Sequence, residues 1–75
     1  LSLYIEVEDG KAITSVSRHL KETGCFVDSF YVDKPKAKGQ HFQVVATFRI
    51  PRKISRETYM HALQELKGVE SVSEI

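Results

Sequence analysis

Apolar and polar positions divide the chain into six segments with two different periods. Leu3, Ile5 and Val7 alternate with Tyr4, Glu6 and Glu8, which predicts a half-buried strand. Asp9-Gly10 ends it, and Asp9 is placed to cap the helix that follows. From Lys11 to Thr23, the residues Ile13, Val16 and Leu20 recur at spacings of three and four, which predicts one helical stripe. Gly24 stops that helix. Cys25 to Asp33 is rich in aromatic and β-branched residues and reads as a second strand. Its alternation is imperfect, because Phe26, Phe30 and Val32 share a parity that Val27 and Tyr31 do not. A β-bulge, or apolar cover on both faces, accounts for such a break. His41 to Ile50 alternates most clearly, with Phe42, Val44, Ala46, Phe48 and Ile50 on one face. Pro51 closes that strand. Ser55 is the expected N-cap of a second helix, with Ile54 and Tyr59 at the spacing of a hydrophobic staple. Tyr59, Ala62, Leu63 and Leu66 form its stripe, Gly68 ends it, and Val69 to Ile75 is a short final strand.

The order is β-α-β-β-α-β. Each helix stripe needs an apolar sheet face, and right-handed crossovers put both helices on the same one. The predicted class is therefore α+β: a ferredoxin-like, four-stranded antiparallel sheet with two helices on one face. The opposite face then shows Tyr4, Val45, Thr47 and Tyr31 among charges, less polar than a fully solvated surface. A symmetric subunit or another partner would cover it.

At 75 residues, 41% apolar and 28% charged, residues 1–75 form one globular domain rather than a disordered chain. No apolar run approaches the roughly 18–20 residues of a membrane span. The chain opens at Leu1 already inside a strand pattern, as expected of a fragment of a longer protein. Net charge is only +1, but its distribution is lopsided. Seven basic residues and no acidic one lie between Lys34 and Arg56, whereas the rest holds four basic and ten acidic. A block of this kind attracts phosphate, nucleic acid or anionic lipid, although charge runs more often serve solubility.

Little in the sequence supports catalysis. The single cysteine, Cys25, excludes an internal disulfide and a multi-cysteine zinc site. It follows a helix end and reads as a small packing residue. His19, His41 and His61 lie on three different elements, so no metal site is expected. Glu6, Glu8 and Asp9 read as a solvated strand end rather than an acid/base pair or a magnesium site. No cofactor is implied. Leu3-Tyr4-Ile5 and Lys38-Gly39 with Phe42 partly resemble the RNA-recognition motif, which shares this element order. Gln40, however, replaces a stacking aromatic, and the parity of Phe42 turns it inward. Nucleic acid is not the expected partner.

AITSVSRHLKETGCFVDSF (Ala12–Phe30) and ELKGVESVSEI (Glu65–Ile75) resemble the ACT-like domains, small regulatory folds of this strand order. The first stretch runs from helix through Gly to strand, and the second ends in a Gly-Val turn. Amino-acid-binding members carry D-x-P-G-x-L between the first strand and first helix. Here the stretch is Asp9-Gly10-Lys11-Ala12-Ile13, with Lys11 in place of the ligand-side Gly. The resemblance makes Asp9, Gly10 and Lys11 the candidate ligand-binding loop. The departure implies that ordinary amino acids do not bind there, while Lys11 near a helix N-terminus still suits an anion.

The phrase FRIPRKISRETYMHALQELKGVESVSEI is similar to the C-terminal soluble domain of MgtC/SapB-family proteins, the putative magnesium transporter-C group. That resemblance implies a non-catalytic regulatory or interaction domain on the cytoplasmic side of a bacterial inner membrane, linked to magnesium homeostasis or virulence. The alternative is a small-ligand-sensing ACT domain of an enzyme or a stringent-response protein. The expected partners are a second copy in a weak homodimer, membrane or regulatory proteins, and an anionic membrane surface. The residues expected at such a surface are Lys34, Lys36, Lys38, Arg52, Lys53 and Arg56.

Overall fold

The computed structural model describes residues 1–37 and 39–75. The elements are β1 (Ser2–Val7), α1 (Gly10–Glu22), β2 (Phe26–Asp33), β3 (Phe42–Arg49), α2 (Arg56–Gln64) and β4 (Val69–Glu74). The strands form one sheet in the order β2-β3-β1-β4, antiparallel at every joint. This is the ferredoxin-like βαββαβ arrangement that the sequence pattern predicts.

The register follows from burial. Leu3 faces Ala46, Ile5 faces Val44 and Val7 faces Phe42, so the alternating apolar positions of β1 and β3 fall on one side of the sheet. Both helices cover that side. Leu3, Ile5, Val7, Val44, Ala46 and Phe48 are buried there with Ala12, Val16 and Leu20 of α1 and Tyr59 and Leu63 of α2. A mostly apolar side chain buried this way contributes about 1.5–3 kcal/mol, so this single cluster is the main support of the domain.

Both predicted N-caps are made. The Asp9 carboxylate Oδ1 accepts the Ala12 amide at 3.0 Å, and Ser55 Oγ accepts the Thr58 amide at 3.2 Å. The stripe of α1 differs by one position from its sequence reading. Ala12, not Ile13, is the fully buried residue of its first turn. The α2–β4 turn presses so closely there that only a methyl group fits, and Ile13 is displaced toward β2, half-buried. On α2, Tyr59 and Leu63 are buried, whereas Ala62 and Leu66 are only half-buried, and Leu66 lies beyond the end of the helix.

The broken alternation of the second strand is a bulge. Pairing of β2 with β3 shifts between Val27 and Ser29, leaving Asp28 as the extra residue. Val27 then pairs with Phe48, Phe30 with Ala46 and Val32 with Val44, so all three turn to the helix side despite their unlike parities. Phe26, Ser29, Tyr31 and Asp33 take the open side. Tyr31, Val45 and Tyr4 are neighbours across three strands of that face. No helix among the described residues is long and apolar enough to cross a membrane.

Candidate functional site

The loop singled out in the sequence, Asp9–Lys11, forms one wall of a cleft of about 270 Å³ lined by Glu8, Asp9, Lys11, Ser15, Lys67 and Gly68. Two separate stretches of chain build it. The first is the end of β1 turning into α1. The second is the α2–β4 turn, brought alongside because β4 pairs with β1. The Glu8 amide donates to the Gly68 carbonyl at 2.8 Å and ties the two together. Gly68 has φ +89°, and a Cβ there would meet the Ala12 Cβ at 2.8 Å. Glycine at this position therefore serves both the left-handed turn and the close approach of the turn to α1.

The electrostatics of the cleft are mixed. Its lining holds two lysines, Lys11 and Lys67, and two carboxylates, Glu8 and Asp9. Asp9 is already engaged, since its carboxylate caps α1 through the Ala12 amide. Glu8 is fully exposed, and its carboxyl is pushed up from the ordinary value, first by a hydrogen bond to Glu70 and next by the Glu70 charge. The N-terminus of α1 contributes positive potential beside the cleft. Ser15 Oγ donates to the Lys11 carbonyl at 3.1 Å, so that hydroxyl orients the backbone of the first turn.

A second polar constellation joins α1 to α2. The Tyr59 hydroxyl lies 2.5 Å from Thr23 Oγ1 and accepts from the Cys25 thiol at 3.1 Å. Thr23 Oγ1 also lies 2.6 Å from the His19 carbonyl, to which it can donate. The His19 ring stacks at a tilt on Tyr59 with centroids 5.4 Å apart, and its Nε2 is buried without a hydrogen-bond partner among the described residues. Burial is the main cause raising the Tyr59 phenol, and the Cys25 contact adds to it. Cys25 therefore sits against a phenol and a threonine hydroxyl, a packing and capping arrangement. His41 lies 3.8 Å from Glu6 and His61 lies 3.6 Å from Glu65, so the three histidines stand apart. Among the described residues no three His, Cys, Asp or Glu side chains converge in a ligand arrangement.

The described basic residues expected at an anionic surface stand at the two ends of β3. Lys34 and Lys36 are exposed before β3 and Arg52 and Lys53 are exposed after it, separated by the length of that strand, about 25 Å. Arg56 is drawn off by Glu74, with Nη1 to Oε2 at 2.9 Å, so among the described residues Arg56 is the member of the trio before α2 that is held in an ion pair. Lys38 lies outside the described residues. Within the basic block, Arg49 pairs with Asp28 at 3.6 Å and covers the Phe26 ring at 4.8 Å from its centroid.

No family model and no curated protein matches this sequence. Among solved structures, the chain is similar to the ACT domain from the GTP pyrophosphokinase of Chlorobium tepidum. The TM-score is 0.76 at 16% identity, and the match covers 99% of this chain and 94% of that one. The fold is thus that of an ACT domain from end to end.

Proposed function

We propose that the chain is a non-catalytic, small-ligand-sensing regulatory module of the ACT type, which takes its ligand in the cleft between the β1–α1 loop and the α2–β4 turn. The observation that carries this reading is the likeness, over 99% of the chain, to an ACT domain of a GTP pyrophosphokinase. The same likeness favours the ligand-sensing alternative over an MgtC/SapB-type membrane-protein domain, for which no comparison speaks. The ligand class follows from the lining. Two lysines and a helix N-terminus suit a small anion bearing phosphate or carboxylate groups. A simple α-amino acid fits less well, because the Asp9 carboxylate already occupies the amide that its carboxylate would seek, and the Lys11 side chain stands where a glycine would admit it.

Thermal unfolding with a panel of inorganic phosphate, citrate, guanosine nucleotides and the standard amino acids tests the reading. A ligand that binds only the folded state raises the midpoint by mass action. The expected result is a concentration-dependent rise with at least one anion and none with the amino acids. A panel that leaves the midpoint unmoved at millimolar concentrations refutes the ligand-sensing reading, and a rise with amino acids alone refutes the ligand class.

A further inference from the structure

The sheet extends beyond its helical cover on one side. Val27, Phe30 and Val32 turn to the helix side of β2, yet Val27 is 38% and Val32 39% exposed, and Phe30 is only half-buried. Ala12, Val16 and Leu20 of α1 pack into the cluster with β1 and β3. The flank of the helix therefore stands beside β2 and leaves a groove of about 420 Å³. Small-molecule sites span about 300–1,000 Å³. The groove shares no residue with the cleft at Asp9–Lys11 and lies on the other flank of α1.

The wall of the groove follows the helix period. Thr14, Ser17, Arg18 and Lys21 stand at i, i+3, i+4 and i+7 and line it together. Its chemistry changes along the helix, from hydroxyls to cations. Because β1 and β2 are both antiparallel to β3, the α1 crossover runs against β2. Ile13 and Phe30 thus supply an apolar floor toward the N-terminal end of α1, and Arg18 and Lys21 supply positive charge toward its C-terminal end. About 12 Å of helix axis separates Ile13 from Lys21. The Thr14 hydroxyl is turned to its own helix, donating to the Gly10 carbonyl at 3.3 Å. Arg18 and Lys21 are exposed, and among the described residues neither is held in an ion pair.

We propose that this groove binds a small, single-headed amphipathic anion, a medium-chain aliphatic carboxylate, with its hydrocarbon on Ile13 and Phe30 and its head at Arg18 and Lys21. An apolar floor alone names no ligand; the two cations at one end of it do. A compact polyanion would leave the floor wet, and a neutral hydrocarbon would leave the cations unused. The line from Ile13 to Lys21 suits a linear tail rather than a compact ring.

The test is a titration of the isotope-labelled protein with butanoate, hexanoate and octanoate, below micelle-forming concentrations, and with 1-octanol, followed through backbone amide shifts. Saturable octanoate shifts should appear at Ile13, Ser17, Arg18, Lys21 and Phe30, with Lys67 and Gly68 unmoved. Full burial of a methylene raises affinity about fourfold, so in a groove open on one side each added methylene should raise it about twofold. Octanol should bind at least about fivefold more weakly than octanoate. Arg18→Gln with Lys21→Gln, at two exposed positions that leave the core intact, should bind the two alike. Equal affinity for butanoate and octanoate would reduce the site to surface ion pairing and overturns the proposal. So does octanoate binding that the double variant keeps in full, or no response to octanoate at millimolar concentration. Shifts at these residues that follow protein concentration and not octanoate would assign the groove to a second copy. A response to phosphatidylglycerol vesicles without one to octanoate would assign it to a membrane surface, and either result overturns the proposal.

Discussion

Gly68 lies so close to Ala12 that a Cβ added to it would stand 2.8 Å from the Ala12 Cβ. This one contact seats the α2–β4 turn on the first turn of α1 and sets the width of the cleft. Replacing Gly68 with Ala adds a left-handed backbone penalty to an overpacked contact, together about 2–4 kcal/mol. Gly24 is the natural control. Its φ is +77°, but a Cβ there would meet only the Pro51 Cγ at an ordinary 3.8 Å. Gly24→Ala should therefore cost about 1–2 kcal/mol, the backbone share alone. Urea unfolding of both variants measures the difference, and equal losses would remove the steric role assigned to Ala12.

The Tyr59 phenol is held above its ordinary value of about 10 by burial and by Cys25. A group whose pKa is raised on folding leaves stability intact below the unfolded value. Stability is then lost as pH rises through and beyond it, because the unfolded state ionises first. Unfolding free energy should fall above about pH 10, and Tyr59→Phe should flatten the part of that fall due to Tyr59. At neutral pH the same variant loses the hydroxyl contacts to Thr23 and Cys25, at a cost of about 1 kcal/mol. A pH profile identical in the two proteins would contradict the assignment.

Much of this was legible in the sequence. The alternation of Phe42 to Ile50 fixes which face of β3 is buried. The broken parity of the second strand left a bulge or apolar cover on both faces open, and the structure has both: the bulge turns Val27 to the side of Phe30, while Phe26 and Tyr31 lie on the open face. The choice of Ala12 over Ile13 was not legible. Both fit a helical stripe, and hydrophobicity favours Ile13. The deciding fact is how closely Gly68 approaches, which is a tertiary property. The Thr23–Cys25–Tyr59 network was hidden for a similar reason, as Tyr59 is more than 30 residues distant in sequence. Half of the candidate cleft could be read from Asp9 to Lys11. Lys67 and Gly68 read only as a helix end, although the ferredoxin-like strand order, which sets the last strand beside the first, held the signal that they meet Glu8.

The titration of Glu8 should depend on Glu70. Glu8 is raised by its hydrogen bond to Glu70 and by the Glu70 charge, so the interaction favours the folded state at low pH and is lost as pH rises through the folded value. Carboxyl carbon shifts followed by NMR should show Glu8 protonating above the ordinary glutamate range. Glu70→Gln should bring that midpoint down, because the neutral amide removes the charge. An unmoved midpoint would show that Glu70 is not the partner.

The cleft itself is tested most directly by a titration of the isotope-labelled protein with citrate and inorganic phosphate, followed through backbone amide shifts. The account predicts saturable shifts concentrated at Glu8, Lys11, Ser15, Lys67 and Gly68 for at least one of these anions. Lys11→Gln with Lys67→Gln should abolish them and leave the rest of the spectrum in place. Shifts spread over Lys34, Lys36, Arg52 and Lys53 instead, or shifts that survive the double replacement, would contradict a ligand site at the junction of β1, α1 and β4.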